Sequence, residues 1–436
     1  MKNALRAGLS PARSPSEPGC PQPGPRATAT GLQDFERVPP HPAYRSTPSR
    51  HPTFSADRRE DTPALMVAAL APRFGLRCAI MIVDLHCHLG LSARRVDLRI
   101  DRFSFEPEGA RGRPGFDSYM SARMLDGVLW RFIRSRLGIN RRLVLGDELD
   151  NAILGRNETH LLGAPGIDRF VLLAFDEYHR SDGSAPGPVQ TRKDKGTDLY
   201  TSNSLTRHVA AGRPEKFLFG ASIHPYRPQA SSALDEVDRA GAVLVKWLPV
   251  HQNIDPRDDR VAEFVARAGR MQMPLLIHYG GENALAPNHR DQEDPRPMFD
   301  LLERVRDAGP MPPVIIAHLA TPSLPFQRPE FYTATVDALL RRFADDPLYA
   351  DVSALTHRGW WLRRAIKHRS LHRKLVFGTD FPVPPTTACF PFRLMGRRAS
   401  LRHPSWPERS LRILKALGLP EDVFTRGFEI IKHRLG

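Results

Sequence analysis

Ile82-Val83-Asp84-Leu85-His86-Cys87-His88 is the stretch on which the reading of this chain turns. An apolar run ending in His-x-His reads as a buried strand that delivers two imidazoles to one face, because residues i and i+2 of an extended chain point the same way. Two neutral imidazoles side by side suit a divalent cation such as zinc. Alone, the pair is equally a strand that happens to finish in two histidines. Repetition separates the two readings. Pro274-Leu275-Leu276-Ile277 leads to His278, and Pro313-Val314-Ile315-Ile316-Ala317 leads to His318. Leu375-Val376-Phe377-Gly378-Thr379 leads to Asp380, and Ala242-Val243-Leu244-Val245 leads to Lys246. The end of a short apolar run is the position where parallel barrels hold their chemistry.

The remaining strands follow from the same pattern. Asp168 to Phe175 reads as the second, Phe217 to Ile223 as the third, ending at His224-Pro225, and Leu348 to Ser353 as the seventh. Between them lie segments of helical period. Val261, Phe264, Val265 and Ala268 stand at i, i+3, i+4 and i+7, behind Asp255 as a helix N-cap and Pro256 at the first helical position. Met298, Leu301, Leu302 and Val305 form another stripe, and Leu411, Ile413, Leu414 and Leu417 a third. Strands alternating with amphipathic helices imply an α/β fold with a parallel sheet, and eight strands imply a closed (β/α)8 TIM barrel. The strands are expected to end close to His88, Phe175, His224, Lys246, His278, His318, Ser353 and Asp380. Two additions to a minimal barrel are expected. Residues 89–167 form a long helical insert after strand 1, with one amphipathic helix from Met120 to Gly138 and another from Glu148 to Leu162, and as a loop at the C-terminal face it is expected to cap the site. Residues 1–63 are Pro-, Arg- and Ser-rich with no apolar stripe, which predicts a disordered extension ahead of the 64–436 barrel domain.

The ordered set of His86 and His88 on the first strand, Lys246 on the fourth, His278 on the fifth, His318 on the sixth and Asp380 on the eighth resembles the amidohydrolase superfamily. Val245-Lys246-Trp247-Leu248-Pro249 and Gly378-Thr379-Asp380-Phe381-Pro382 are most similar to its amidohydrolase-related (amidohydrolase 2) branch, which holds both hydrolases and non-oxidative decarboxylases. The resemblance runs from about Ile80 to the C-terminus. It implies one divalent metal, zinc foremost, held by His86, His88, His278 and Asp380, with His318 left for catalysis. In two-metal members the Lys246 position is carbamylated and bridges the ions, and the His278 and His318 positions serve the second. In the branch this chain resembles, Lys246 is expected instead as a cation beside the site. A bound divalent ion lowers the pKa of water to about 7. Asp380 then accepts the proton and His318 polarises the substrate carbonyl or stabilises the oxyanion. The expected function is a metal-dependent hydrolase of an ester, lactone or amide-type bond in a small molecule.

Rival functions use much of the same pattern. A decarboxylase of an aromatic or unsaturated acid would employ the same residues. A phosphoesterase of the polymerase-and-histidinol-phosphatase type also opens with Asp-x-His-x-His, but Leu89-Gly90-Leu91-Ser92-Ala93-Arg94 lacks the acidic residues that follow in that type. A non-catalytic binding barrel would have no use for a complete ligand set with a water-activating acid. His224 and Arg358 are further candidates for substrate contact, Arg358 through bidentate hydrogen bonds to a carboxylate or phosphate. Tyr178, His179, His251 and His289 lie in loops on the catalytic side.

Composition narrows the setting. The net charge of +15 invites nucleic acid, yet the arginines are spread along helices and the N-terminal stretch without interleaved aromatics or a binding motif. No apolar run reaches the ~18 residues of a membrane span, since Arg73 and Arg77 interrupt the best candidate. Arg58-Arg59 is a poor export signal, being followed at once by Glu60 and Asp61. The four cysteines, Cys20, Cys78, Cys87 and Cys389, form no CxxC pair, as suits a reducing, cytoplasmic compartment. The expected partner is a small-molecule substrate, with a homo-oligomer left open. A chain shortened to begin near Met66 is expected to keep its metal and its melting temperature. Loss of soluble protein on that truncation would show that the tail packs on the barrel.

Overall fold

Eight short apolar segments become strands because both of their faces are covered, so they read as continuous hydrophobic runs. They are β1 (Val83–His88), β2 (Arg169–Leu173), β3 (Phe217–Ala221), β4 (Leu244–Trp247), β5 (Leu275–His278), β6 (Val314–Ala317), β7 (Leu348–Asp351) and β8 (Leu375–Val376). The computed structural model describes residues 81–93, 118–189, 191, 193–282, 284–323, 329–397 and 399–435. The chain divides into two units, residues 1–74 and 75–436, and the barrel belongs to the second. The expected extension over residues 1–63 lies outside the described residues, as does the 94–117 part of the insert.

The strands pair in parallel and in sequence order from β1 to β8. Backbone bonds close the sheet on itself. Leu85 N donates to Phe377 O at 3.4 Å, His88 N to Phe381 O at 2.8 Å, and Asp380 N to His86 O at 2.9 Å. The fold is the expected (β/α)8 barrel. Successive residues of a strand join different apolar clusters, as the two faces of a pleat require. Leu244, Leu276 and Ile315 share one cluster with Val171, Leu173 and Val376. Val245, Trp247, Leu275, Ile277, Val314 and Ile316 belong to the larger cluster that includes the surrounding helices. Trp247, for example, meets Phe264 at 5.1 Å between ring centroids. Lys246 and His278 stand two residues beyond Leu244 and Leu276, and so continue the inner face to the C-terminal mouth.

The predicted helical stripes are buried, with one change at a start. Val261, Phe264, Val265 and Ala268 all face the core, but the helix spans Asp259–Arg270 and its cap is Asp258, whose side chain accepts from Arg260 N. Asp255 makes the same kind of contact with Arg257 N at 3.0 Å, and forms a turn rather than the cap. Two capping-competent aspartates three residues apart compete, and the second one wins. The single helix expected over 120–138 is also broken. Ser118–Met120 pairs antiparallel with Leu199–Thr201. A short turn of helix at Ala122–Leu125 follows, and extended backbone at Gly127 then starts a separate helix, Val128–Arg136. The second insert helix, Asp147–Leu162, holds the start of the insert through Asp150, which accepts from Ser92 N at 2.6 Å and Ala93 N at 3.0 Å. Among the described residues no helix is long and apolar enough to cross a membrane.

Asp84 is the buried polar group at the seam between β1 and the end of β8. Its Oδ1 accepts from His86 N and Thr379 N, each at 3.0 Å, and its Oδ2 from Thr379 Oγ1 at 2.5 Å and Cys87 Sγ at 3.3 Å. Burial pushes its carboxyl up to about 6. Asp84→Ala leaves these donors without a partner in the interior, and is expected to cost roughly 2–4 kcal/mol in chemical denaturation. A change below about 0.5 kcal/mol would show that the seam does not depend on this carboxyl.

Candidate active site

β1 places His86 and His88 on one face, as the His-x-His spacing requires, and the closure of the barrel brings Asp380 to them. Asp380 Oδ1 lies 3.5 Å from His86 Nε2 and 3.3 Å from His88 Nε2, and Oδ2 lies 3.8 Å from His318 Nε2. The rings of His86 and His318 stack with centroids 5.2 Å apart. Candidate ligand atoms of His86, His88 and Asp380 all fall within 4.8 Å of one another.

A second layer fixes how these rings present their nitrogens. Asp351, fully buried at the end of β7, takes a hydrogen bond from His86 Nδ1 at 2.8 Å. Ser353 Oγ donates to Asp351 Oδ1 at 2.5 Å, and His318 Nδ1 donates to the Ser353 carbonyl at 2.9 Å. With both Nδ1 atoms protonated by these bonds, the Nε2 lone pairs of His86 and His318 face the cavity. His86, His318 and Asp351 also cluster tightly enough to suggest ligands. Their Nδ1 atoms are engaged with Asp351 or Ser353, so this group is the support of the site. Burial opposes ionisation of Asp351, but His86 and His318 outweigh it and hold the carboxyl low.

Electrostatics suit a cation. Burial pushes His88 and His318 down to about 4 and His278 well below the usual imidazole range, which leaves neutral nitrogen donors. Burial likewise disfavours the charged form of Asp380, yet the imidazoles of His86, His318 and His88 hold it well below the ordinary carboxylate range. Lys246 Nζ lies 3.1 Å from His86 Nε2, and burial pushes the amine down to about 8. The buried His278 Nε2 has no hydrogen-bond partner, with its nearest acid, Glu282 Oε2, at 3.4 Å. An orphaned imidazole nitrogen beside neutral imidazoles and an ionised carboxylate is a donor set that fits zinc or a similar divalent ion. His278 does not join the His86, His88 and Asp380 group within 4.8 Å, so the four expected ligands share one cavity while three of them converge closely.

These groups floor a cavity of about 740 Å³ whose walls are largely apolar. Val128, Leu129, Phe132 and Ile133 of the insert helix line it, along with Phe175, Leu248 and Leu285. His86, His88, Lys246, His278, His318, Arg358 and Asp380 all border it. His224 does not. Its Nε2 donates to Gln252 O at 2.8 Å and its Nδ1 accepts from Tyr226 N at 3.0 Å, so both ring nitrogens brace a loop instead of meeting a substrate. Tyr178, His179, His251 and His289 do not border the cavity either; His251 Nε2, for instance, accepts from Asp198 N at 3.1 Å, and Tyr178 Oη pairs with His289 Nε2 at 3.3 Å. Sequence reading missed Asp351, Ser353 and Glu282. Asp351 ends an apolar run just as Asp380 does, but the seventh strand was extended past it to Ser353.

Asp380 and His318 also share a backbone peculiarity. Both have positive φ, 59° and 52°, a region that residues with a Cβ seldom adopt and that concentrates at functional sites.

The amidohydrolase family model matches residues 171–399. No curated protein matches the chain. Among solved structures the chain is similar to an uncharacterized TIM-barrel protein from Bordetella bronchiseptica, at 17% identity and TM-score 0.47 over 81% of this chain and 99% of that one. It is also similar to a probable 2-pyrone-4,6-dicarboxylic acid hydrolase from Acinetobacter baumannii, at 13% identity and TM-score 0.43 over 80% of this chain and 99% of that one. A third similar structure is the 5-carboxyvanillate decarboxylase of Sphingomonas paucimobilis, at 12% identity and TM-score 0.43 over 81% of this chain and 99% of that one.

Asp351→Asn keeps the shape of the support but not its charge, so His86 loses its fixed tautomer. The expected result is a roughly 10- to 100-fold loss of affinity for an added divalent ion, read by competition with a chromophoric chelator. Unchanged affinity would mean that Asp351 serves the fold alone.

Proposed function

The chain belongs to the amidohydrolase family, and from that membership we propose that it is a metal-dependent hydrolase opening an ester, lactone or amide-type bond of a small molecule. The observation that supports the reading is the meeting of His86, His88 and His318 on the Asp380 carboxylate at the C-terminal mouth of the barrel. In this reading His86, His88, His278 and Asp380 hold a single divalent ion. Zinc is the first choice for imidazole and carboxylate donors, though manganese, iron, cobalt or nickel accept the same set. Such an ion supplies Lewis acidity and a water whose pKa falls to about 7.

The chain's own residues then move the proton. Asp380 is ionised and takes it from the attacking water. Oδ2 of Asp380 faces His318 Nε2, which carries a lone pair because Nδ1 donates to Ser353 O. The proton passes to Nε2, and only then does His318 become the donor that steadies the developing oxyanion or protonates the leaving group. Burial makes His318 a weak base, so the proton it accepts is readily given up. Lys246 supplies positive charge next to His86 and, as a free amine, leaves the metal count at one. Apolar side chains around these groups lower the local dielectric, which strengthens each of these interactions.

Asp380→Asn is expected to abolish turnover, since it removes both the proton acceptor and a charged ligand. His318→Asn is expected to keep the metal and lose about two to four orders of magnitude in rate. Lys246→Ala should leave the metal content near one per chain and weaken mainly substrate affinity. A screen of lactones, amides, phosphoesters and aromatic carboxylates tests the reaction class, and release of carbon dioxide or phosphate as the main activity would overturn it. Two metals per chain, lost in Lys246→Ala, would make Lys246 a carbamate bridge and His318 a ligand.

A further inference from the structure

We propose that Arg358 is the anchor for a ligand carboxylate, and that the ligand is an organic acid whose apolar ring or chain lies against the insert helix Val128–Arg136. The inference rests on the reading of this cavity as the active site, and it names the class of substrate the cavity takes.

Arg358 follows β7 and its side chain borders the cavity beside His278, Glu282, His318 and Asp380. Its Nη1 donates to Thr321 O at 2.7 Å and Thr321 Oγ1 at 2.9 Å, and its Nη2 donates to Gly281 O at 3.0 Å. All three acceptors are neutral. They occupy three of the guanidinium's five N–H groups, so the Nε donor and one Nη2 donor remain. Among the described residues Arg358 makes no ion pair. The acids whose field it feels, Glu282, Asp380 and Asp351, are each held by other groups. Asp380 faces His86, His88 and His318, and Asp351 faces His86 and Ser353. Glu282 Oε1 is taken by the backbone N–H groups of Ala284 and Leu285. A half-buried guanidinium with no carboxylate in ion-pair contact leaves its charge uncompensated, and a ligand carboxylate offsets this by pairing with the two unused donors.

The apolar part of the lining bears on what the rest of the ligand is. Val128 and Phe132 of the insert helix border the cavity and yet remain 83% and 46% exposed. Leu129, Ile133 and Leu285 continue the same surface. Large apolar side chains left open at a cavity mouth mark a place for an apolar ligand. A monoanion with a hydrocarbon body satisfies both ends. An organic phosphate could meet Arg358 through similar oxygens, but its second charge must be desolvated against the same hydrocarbon wall, which favours the carboxylate.

The test is a calorimetric titration of the metal-loaded protein with 4-butylbenzoate, 4-butylbenzamide and 4-butylphenyl phosphate. The benzoate is expected to bind about tenfold or more tightly than the amide, and the phosphate more weakly than the benzoate. Arg358→Gln is expected to erase the preference for acid over amide, and Arg358→Lys to restore part of it. Arg358 also braces Gly281 and Thr321, so Arg358→Gln could unfold the loop; melting curves show this, and the acid–amide comparison on the unaltered protein together with Arg358→Lys then decides. Equal affinity for acid and amide would overturn the proposal. Benzoate binding that survives in Arg358→Gln but vanishes on chelation would overturn it too, by placing the carboxylate on the metal. Tighter binding of the phosphate would overturn the choice of carboxylate. Because binding is read and turnover is not, absence of hydrolase activity leaves these outcomes separable.

Discussion

The site exists because the first strand meets the last. His86 and His88 sit on β1 and Asp380 beyond β8, almost the full length of the barrel apart in sequence, and only ring closure makes them neighbours. The seam is specified by polar chemistry as much as by packing. Asp84 gathers the Thr379 backbone and hydroxyl groups from the far strand while bonding His86 N on its own. Asp380 N then donates to the carbonyl of His86 itself. One residue therefore contributes its backbone to barrel closure and its ring to the site, and any shift in strand register would move both together. Gly378 reflects how tight this is: a Cβ there would lie 2.9 Å from that of His86.

Behind the imidazoles the molecule spends buried charge to fix protonation states. Asp351 is fully buried and accepts from His86 Nδ1, from the His318 backbone N at 2.8 Å and from Ser353 Oγ. Burying one carboxylate is tolerable because both of its oxygens find donors. The consequence lies a ring's width away. Two histidines that could adopt either tautomer are held with Nδ1 protonated, and their Nε2 atoms become acceptors on the cavity side. In the mechanism we propose, that ordering decides the direction of proton flow. His318 has to receive a proton before it can donate one, so Asp380, ionised and within reach, has to come first in the sequence.

Much of this was legible in the residues, and the boundary is instructive. Apolar runs ending in His86-x-His88, Lys246, His278, His318 and Asp380 named the strands, because a strand buried on both faces leaves a continuous hydrophobic signature and a barrel places its polar residues at one end. Helix stripes were legible for the same reason, since burial enforces period. Helix starts were less so. Asp255 and Asp258 are equally competent caps, and only the loop leaving β4 selects between them. Arg358 and His224 show the harder limit. Each follows a strand, each is polar, and nothing local separates them. His224 turned out to spend both ring nitrogens on backbone, while Arg358 spends three N–H groups and keeps two. That difference is made by Gln252, Tyr226, Thr321 and Gly281, whose positions come from tertiary structure. Asp351 was overlooked for the converse reason: its contact is with His86 and Ser353, and a supporting carboxylate carries no spacing rule of its own.

Strain at the mouth completes the logic of the site. His318 and Asp380 hold φ values of 52° and 59°, where a Cβ crowds the backbone and glycine would be easier. Neither can be glycine, because the side chain is the point. The neighbouring bonds explain how the conformation persists. Asp380 N is tied to His86 O, and His318 N to Asp351 Oδ1, so each of these residues is clamped through its own amide to the network that surrounds its side chain. Relaxing either backbone would break a buried hydrogen bond and swing the Nε2 of His318 away from Oδ2 of Asp380. The same contacts that hold these two backbones set His318 and Asp380 face to face, and Leu319, Ala320 and Ala354 share the positive φ beside them.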